Sequence, residues 1–353
     1  MTDTSTKSAG PSARQIDVVA LRAYLAGRLP GIGETLEAKA FEGGQSNPTF
    51  LITSSSGETR YVLRKKPPGK LLPSAHQVER EHRIITALAA TDVPVPKAHL
   101  LCEDPTIIGT AFYVMQHVPG RILRDPALPE IAAGDRRAYY LTMADTLARL
   151  HAVDFVAAGL GDYGKPEGFV GRQVARWAQQ YDAAKTEPRE EMVSLTAWLR
   201  DNAPDEVAPT IIHGDFRIDN LMFHATEPRC LALLDWELST LGNPYSDVAY
   251  ACLAYHLPSG GQGLVGLVGA DLQALELPSE QEFVRAYCER RGLERIPSWS
   301  FFLAFSLFRL AAITQGVYAR ALQGNASSSN AKQVGKLSAV LSTIGWKIAQ
   351  RGD

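Results

Sequence analysis

Three side chains near the middle of the sequence have the types and the spacing to move a phosphoryl group. The segment Ile211-Ile212-His213-Gly214-Asp215-Phe216-Arg217-Ile218-Asp219-Asn220-Leu221 sets a carboxylate five residues before a carboxamide, and the apolar run Leu231 to Leu234 closes on a second carboxylate, Asp235. A hydroxyl attacking the terminal phosphate of ATP needs placement and charge compensation more than covalent help. Asp215 is the candidate base, set to orient the hydroxyl and take its proton late in the transfer, with His213 and Gly214 shaping the backbone that presents it. Asn220 and Asp235 are the candidate magnesium ligands, because a carboxylate at the end of a buried strand is costly unless paired or metal-bound. A polar loop with a helix cap at Asp219 or Asn220 is the plain alternative; the flanking apolar strands favour the catalytic one. Asp247, in Asn243-Pro244-Tyr245-Ser246-Asp247, reads either as an N-cap or as an acceptor for backbone N–H groups of the loop, roles that one residue can combine.

Earlier in the chain, Phe41-Glu42-Gly43-Gly44-Gln45-Ser46-Asn47 leads into an apolar strand. Gly43, Gly44, Ser46 and Asn47 offer close backbone approach and short polar groups to phosphates, although a Gly-Gly turn is more often only a turn. Arg64, Lys65 and Lys66 are consecutive on the next strand, so alternation points one parity at the nucleotide and the other away. Arg64 is favoured, since Val62 then faces an adenine from the same side; Lys65 is the rival. Glu81 lies on the helical stripe of Val78, Ile84, Ile85 and Leu88, where a carboxylate needs a cation, and Arg64 is the partner expected. Met115, Gln116 and His117 precede Val118-Pro119-Gly120 and place backbone groups where an adenine would bind; His117 reads equally as a surface residue. His151 ends an apolar helix and reads as a capping or packing residue.

The elements that must position these groups fall into two regions. Residues 1–13 read as a disordered tail. Residues 14–118 read as helix, hairpin, helix and strands: a helix from Ile16 to Leu29, strands Phe41 to Thr53 and Thr59 to Lys66, a helix from Ala75 to Ala90, and strands near His99 to Leu101 and Ala111 to His117. Residues 119–353 are mainly helical, with helices at Arg136 to His151, Ser279 to Arg291, Ser298 to Leu322 and Ala331 to Ala349, interrupted by short strands around the candidate loop. Leu257 to Pro278 reads either as a lid or as a tolerant loop.

The 353 residues exceed the usual size of one core, and a charged fraction of 21 % with net charge −2 gives no electrostatic case for nucleic acid. The widely spaced Cys102, Cys230, Cys252 and Cys288 suggest neither zinc nor a disulfide framework, which fits a reducing cytoplasm. No signal peptide or bilayer-spanning stretch is expected.

Over Phe41 to about Tyr250 the chain resembles the aminoglycoside phosphotransferase family, the choline kinase-like group of the protein kinase fold. HGDFRIDN is similar to that family's HGDxxxxN loop, and LLDWE resembles its metal-binding IDWE segment, which stands in place of the DFG of protein kinases. FEGGQSNPTFLIT with YVLRKKPPG further resembles the branch related to the kinase-like domains fused to acyl-CoA dehydrogenases. The resemblance implies an α+β, bilobal protein kinase-like fold with a small β-rich N-lobe and a larger, mainly helical C-lobe. It implies ATP and Mg2+ as cofactors, Asp215 as base, Asn220 and Asp235 as metal ligands, Arg64 and Glu81 as the nucleotide-bracing pair and Gly43 to Asn47 as the phosphate loop. The family commonly has lysine where Arg64 stands here. From Gln281 onward, Arg285, Arg290, Arg291, Arg295, Arg309, Arg320, Lys332, Lys336, Lys347 and Arg351 outnumber Glu282, Glu289, Glu294 and Asp353. A positive face suits an anionic acceptor, and the branch points to a hydroxyacyl-CoA or related hydroxy acid; a solvated helix surface is the other reading. An amino-alcohol or aminoglycoside kinase and a non-catalytic nucleotide-binding module are the alternatives.

Overall fold

The first unit is built on alternation. In the computed structural model, which describes residues 15–41, 47–54, 57, 59–69, 76–260, 265–323 and 331–353, strands β1 (Leu36–Ala40), β2 (Thr49–Ser54), β3 (Arg60–Lys65), β4 (Ala98–Cys102) and β5 (Phe112–Gln116) form an antiparallel sheet in the order β1-β2-β3-β5-β4. Phe50, Ile52, Tyr61, Leu63, Phe112 and Val114 project from one face onto Leu21 and Leu25 of helix α1 (Val18–Leu25), closing one apolar core. Asp17 caps α1 by accepting from the Ala20 N–H at 2.9 Å. Helix α2 (Val78–Leu88) buries the stripe Val78, Glu81, Ile84, Ile85 and Leu88.

Two expectations need correction here. Within the span read as a strand from Phe41 to Thr53 the described strand is β2, which begins at Thr49, and an unexpected strand, β1, precedes that span and pairs Ala40 with Phe50; Leu36–Ala40 escaped notice because its exposed Glu37 and Lys39 dilute the apolar signal. The boundary after Val118 coincides with the division into compact units, but residues 90–95 group with the second unit, where the Pro94 carbonyl accepts from the Leu233 N–H at 2.8 Å.

The second unit contains β6 (Arg121–Ile122), α3 (Ala133–Ala152), α4 (Phe169–Ala184), α5 (Glu190–Asp201), β7 (Thr210–Ile212), β8 (Leu221–Phe223), β9 (Cys230–Leu233), β10 (Thr240–Gly242), α6 (Tyr245–Ala251), α7 (Glu280–Arg291), α8 (Trp299–Leu322) and α9 (Ala331–Arg351). Strand β7 pairs with β10, and β8 lies between β6 and β9. Helix α7 opens on a capping box between Ser279 and Glu282 and stops at Gly292, which is left-handed. Helix α8 packs on α9, α4 and α6. Contrary to expectation, α8 is long and apolar enough to cross a bilayer, although 83% of its most apolar window is buried inside the protein. The described residues between Leu257 and Pro278 carry an isolated bridge from Pro258 to Val268 and a series of turns.

Candidate active site

The strand pairings bring the candidate residues of the second unit together. The loop from His213 to Asn220 joins β7 to β8, and Asp235 joins β9 to β10. Leu221 stands opposite Leu233 in the β8–β9 ladder, and the Leu234 N–H donates to the Asn220 carbonyl at 2.9 Å. Asn220 and Asp235 are therefore adjacent through backbone pairing, although 15 residues apart in sequence.

Each residue of the loop is tied down. The Asn220 carboxamide nitrogen donates to the Asp215 carbonyl at 2.7 Å and to its Oδ2 at 3.0 Å, which leaves the amide oxygen free to accept a cation. The His213 ring is fully buried; Nε2 lies 2.8 Å from the Leu234 carbonyl and Nδ1 3.2 Å from the Asp215 N–H. Both bonds are met by the tautomer with its proton on Nε2. His213 thus braces the loop from below, and its ring contacts Trp236 and Phe216. Gly214 has φ +84°, and a Cβ there would lie 2.5 Å from the Leu238 carbonyl oxygen, so glycine is required on both counts.

Asp247 resolves the choice left open by the sequence. It is the third residue of α6, whose N-cap is Pro244, so it is not the cap. Its carboxylate accepts from the His213 N–H at 2.6 Å and the Gly214 N–H at 2.9 Å, and its Oδ2 lies 3.4 Å from His151 Nε2. His151 is buried, with Nδ1 2.8 Å from the Tyr287 hydroxyl, and burial lowers its pKa. It therefore belongs to the support of the loop.

Electrostatics keep Asp215 ionised. Burial raises its pKa, but the charges of Arg217 and Arg309, with a hydrogen bond from Tyr250, outweigh burial and hold the carboxyl below the usual range. Arg217 Nε lies 3.3 Å from Asp215 and its NH2 3.1 Å from Asp219. Burial, opposed by Arg217, raises the Asp219 pKa. Asp235 sits in a left-handed turn, φ 65° and ψ 62°, a conformation aspartate tolerates better than most residues. With Asn220 it makes a hard-oxygen pair suited to magnesium, whose remaining positions are ordinarily filled by phosphate and water. No cluster of three or more His, Cys, Asp or Glu suited to a metal occurs among the described residues. The turn is fixed beyond Asp235 by the Trp236 indole donating to the Leu233 carbonyl and by Ser239 Oγ, 2.7 Å from the Tyr163 hydroxyl.

In the first unit, Arg64 Nε lies 2.7 Å from Glu81 Oε2. Lys65 points to the opposite face, buried and 6.0 Å from the Phe50 ring centroid, where burial lowers its pKa. The alternation of β3 thus separates the two, and Lys65 is not a partner of Glu81. Asn47 has a side-chain role that was not expected: its Nδ2 donates to Glu81 Oε1 at 2.6 Å and its Oδ1 lies 3.0 Å from His76 Nδ1, so it contributes to the buried carboxylate's shell together with the Tyr113 hydroxyl. Gly43, Gly44 and Ser46 lie outside the described residues. Met115 and Gln116 belong to β5, paired by β3 and β4 on its two edges. The Gln116 N–H donates to the Lys97 carbonyl at 2.8 Å, and His117 is the first residue beyond the strand.

Sequence reasoning missed one participant. Arg309 was counted with a positive surface, yet it is buried and donates through NH2 to the Gly214 carbonyl. The available signal was a lone charge in the apolar run Trp299 to Ile313. That surface is also partly neutralised, since Arg285 pairs with Glu289 and Arg290 with Asp145.

An α+β chain with this loop and this paired turn has the kinase-like phosphotransferase fold. The profile of the phosphotransferase enzyme family matches residues 37–287, and the chain belongs to that family. A Ralstonia eutropha protein assigned provisionally to the aminoglycoside phosphotransferases is 43% identical, with TM-score 0.85 over 96% of this chain and 100% of that one. Choline kinase from Cryptosporidium parvum, 12% identical, shares the fold at TM-score 0.61 over 94% of this chain and 96% of its own. Acyl-CoA dehydrogenase family member 10 of Mus musculus is 48% identical over 334 residues, 94% of this chain but only 31% of the mouse protein. The chain thus spans about a third of that relative's length.

Proposed function

We propose that the protein is an ATP- and Mg2+-dependent phosphotransferase acting on a hydroxyl of an anionic small molecule, a hydroxyacyl-CoA or related hydroxy acid. The observation that carries this reading is the pair of hydrogen bonds from Asn220 to Asp215: one amide nitrogen fixes the candidate base and frees the amide oxygen beside Asp235. A binding module has no need of an ionised, immobilised carboxylate at that point.

In this reading Asp215 accepts the hydrogen bond of the attacking hydroxyl, orients its lone pair and takes the proton as the bond to phosphorus forms. The depressed pKa makes Asp215 an orienting group first and a proton acceptor late. Asn220 and Asp235 would hold magnesium, which supplies neutralisation of phosphate charge when bound. Arg64, braced by Glu81, would meet the nucleotide phosphates. An anionic acceptor is supported by a pocket of about 170 Å³ in the second unit, where Arg124, Arg217 and Asp219 meet Met143, Tyr250 and Leu310. Arg217 is already paired with Asp215 and Asp219, so Arg124 is the guanidinium that would meet the anionic end of an acyl chain lying over the apolar floor.

The test is ATP consumption by the purified chain with Mg2+ against hydroxyacyl-CoAs, hydroxy acids, amino alcohols and aminoglycosides. Turnover with the first two classes is expected. Turnover confined to cationic acceptors would overturn the acceptor reading, and nucleotide binding without turnover on any acceptor would favour a non-catalytic module.

A further inference from the structure

We infer that Arg309 is a positioning residue for phosphoryl transfer, gripping the carbonyl of Gly214 so that the peptide leading into Asp215 is held from α8 as well as from α6. The inference rests on the phosphotransferase reading and adds to it a residue 95 positions from the loop that it holds.

The geometry is a two-sided grip. Asp247 on α6 takes the Gly214 N–H, and Arg309 on α8 gives a hydrogen bond to the Gly214 carbonyl. Glycine at positive φ is the loop position with the greatest backbone freedom, and rotation about its ψ would swing the following peptide and Asp215 with it. With the N–H fixed by one helix and the carbonyl by another, that rotation is blocked. The carboxylate itself is then fixed from the other side by Asn220.

The surroundings of Arg309 suit aiming more than packing. Its guanidinium carbon lies 5.0 Å from the Tyr250 ring centroid and 5.5 Å from that of Trp177, so aromatic faces from α6 and α4 fix the fork. The side chain makes no ion pair with a carboxylate of the described residues, and this buried cation spends its hydrogen bond on one backbone carbonyl. Its charge reaches the Asp215 carboxylate only through space, lowering that group's pKa, and a buried guanidinium without a carboxylate in direct contact is expensive to keep. An apolar residue would fill the same space at less cost, but it could not hold a carbonyl in place.

The experiment compares the full chain with Arg309→Lys and Arg309→Met in two ways. Slow hydrolysis of MgATP by water, read as phosphate release, gives kcat and KM without knowledge of the acceptor. Hydrogen exchange read over peptides spanning Ile212 to Arg217 and over α5 and α9 reports the loop against the rest of the unit. Arg309→Met is expected to lower kcat by about 100-fold, the scale of a 1 Å misplacement, with KM for MgATP within about threefold. Arg309→Lys, which keeps the charge and one donor, is expected to recover part of that loss, and exchange should accelerate in the loop peptides alone. Unchanged loop exchange in Arg309→Met, or acceleration spread evenly through the helices, would overturn the inference and leave Arg309 a packing residue. If Arg309→Met does not fold, the same two readouts on Arg309→Lys decide. If the wild type releases no phosphate without an acceptor, the acceptor screen decides the phosphotransferase reading, and the exchange comparison alone decides whether Arg309 holds the loop.

Discussion

Asp215 is restrained through its own carbonyl, its own carboxylate and the glycine before it, and each restraint has a measurable counterpart. Asp215→Ala is expected to leave MgATP affinity, measured by calorimetry, nearly unchanged while lowering transfer by about 10²- to 10⁴-fold, the range of a lost general base; unchanged turnover would refute the assignment. Asp235→Ala should instead weaken MgATP binding, with a smaller effect on ATP measured without magnesium. Gly214→Ala forces a left-handed alanine and a contact with the Leu238 carbonyl. It is expected to cost about 1–3 kcal/mol in urea unfolding from the strained backbone, and to inactivate the enzyme even where it folds.

Strand β3 shows what one element decides. Consecutive Arg64 and Lys65 are chemically alike, yet the pleat sends one to Glu81 and the other beneath Phe50. Arg64→Met is expected to strand the buried Glu81 carboxylate and cost about 3–5 kcal/mol. Lys65→Met should be neutral or stabilising, because it removes a buried charge that has no carboxylate partner among the described residues; urea midpoints of the two variants compare them directly. The Arg64 to Glu81 contact was legible in the sequence because Glu81 interrupts an apolar stripe and β3 alternates. The pairing that sets Asn220 beside Asp235 was legible only as a motif, since register between β8 and β9 depends on contacts that spacing does not encode. The contact of Asn47 with Glu81 was not legible, because its partner lies 34 residues away. Arg309 was misread for a related reason: counting charges along a segment ignores the helical face on which each one falls.

Across the molecule, burial lowers the pKa of His76, His82, His99, His117 and His151. The unfolded chain therefore binds protons near pH 6.5 that the folded chain refuses, so stability falls as pH drops through that range and is fully present above it. Urea midpoints at pH 7.5, 6.5 and 5.5 should decline steadily, by at most about 1.4 kcal/mol per pH unit for each proton taken up on unfolding. His151→Gln should flatten part of the decline, and a flat wild-type profile would contradict the burial of these rings. Helix α8 adds a constraint in time. On the ribosome the loop bearing Asp215 emerges well before the helix that grips it, and that helix is apolar enough to pass for a membrane span. Until α8 is tucked among its neighbours, the nascent chain displays a long greasy segment beside a loose loop. Chaperone dependence during synthesis, and aggregation of chains stalled before α9, are the expected signs of a protein whose chemistry waits on a helix made well after its catalytic loop.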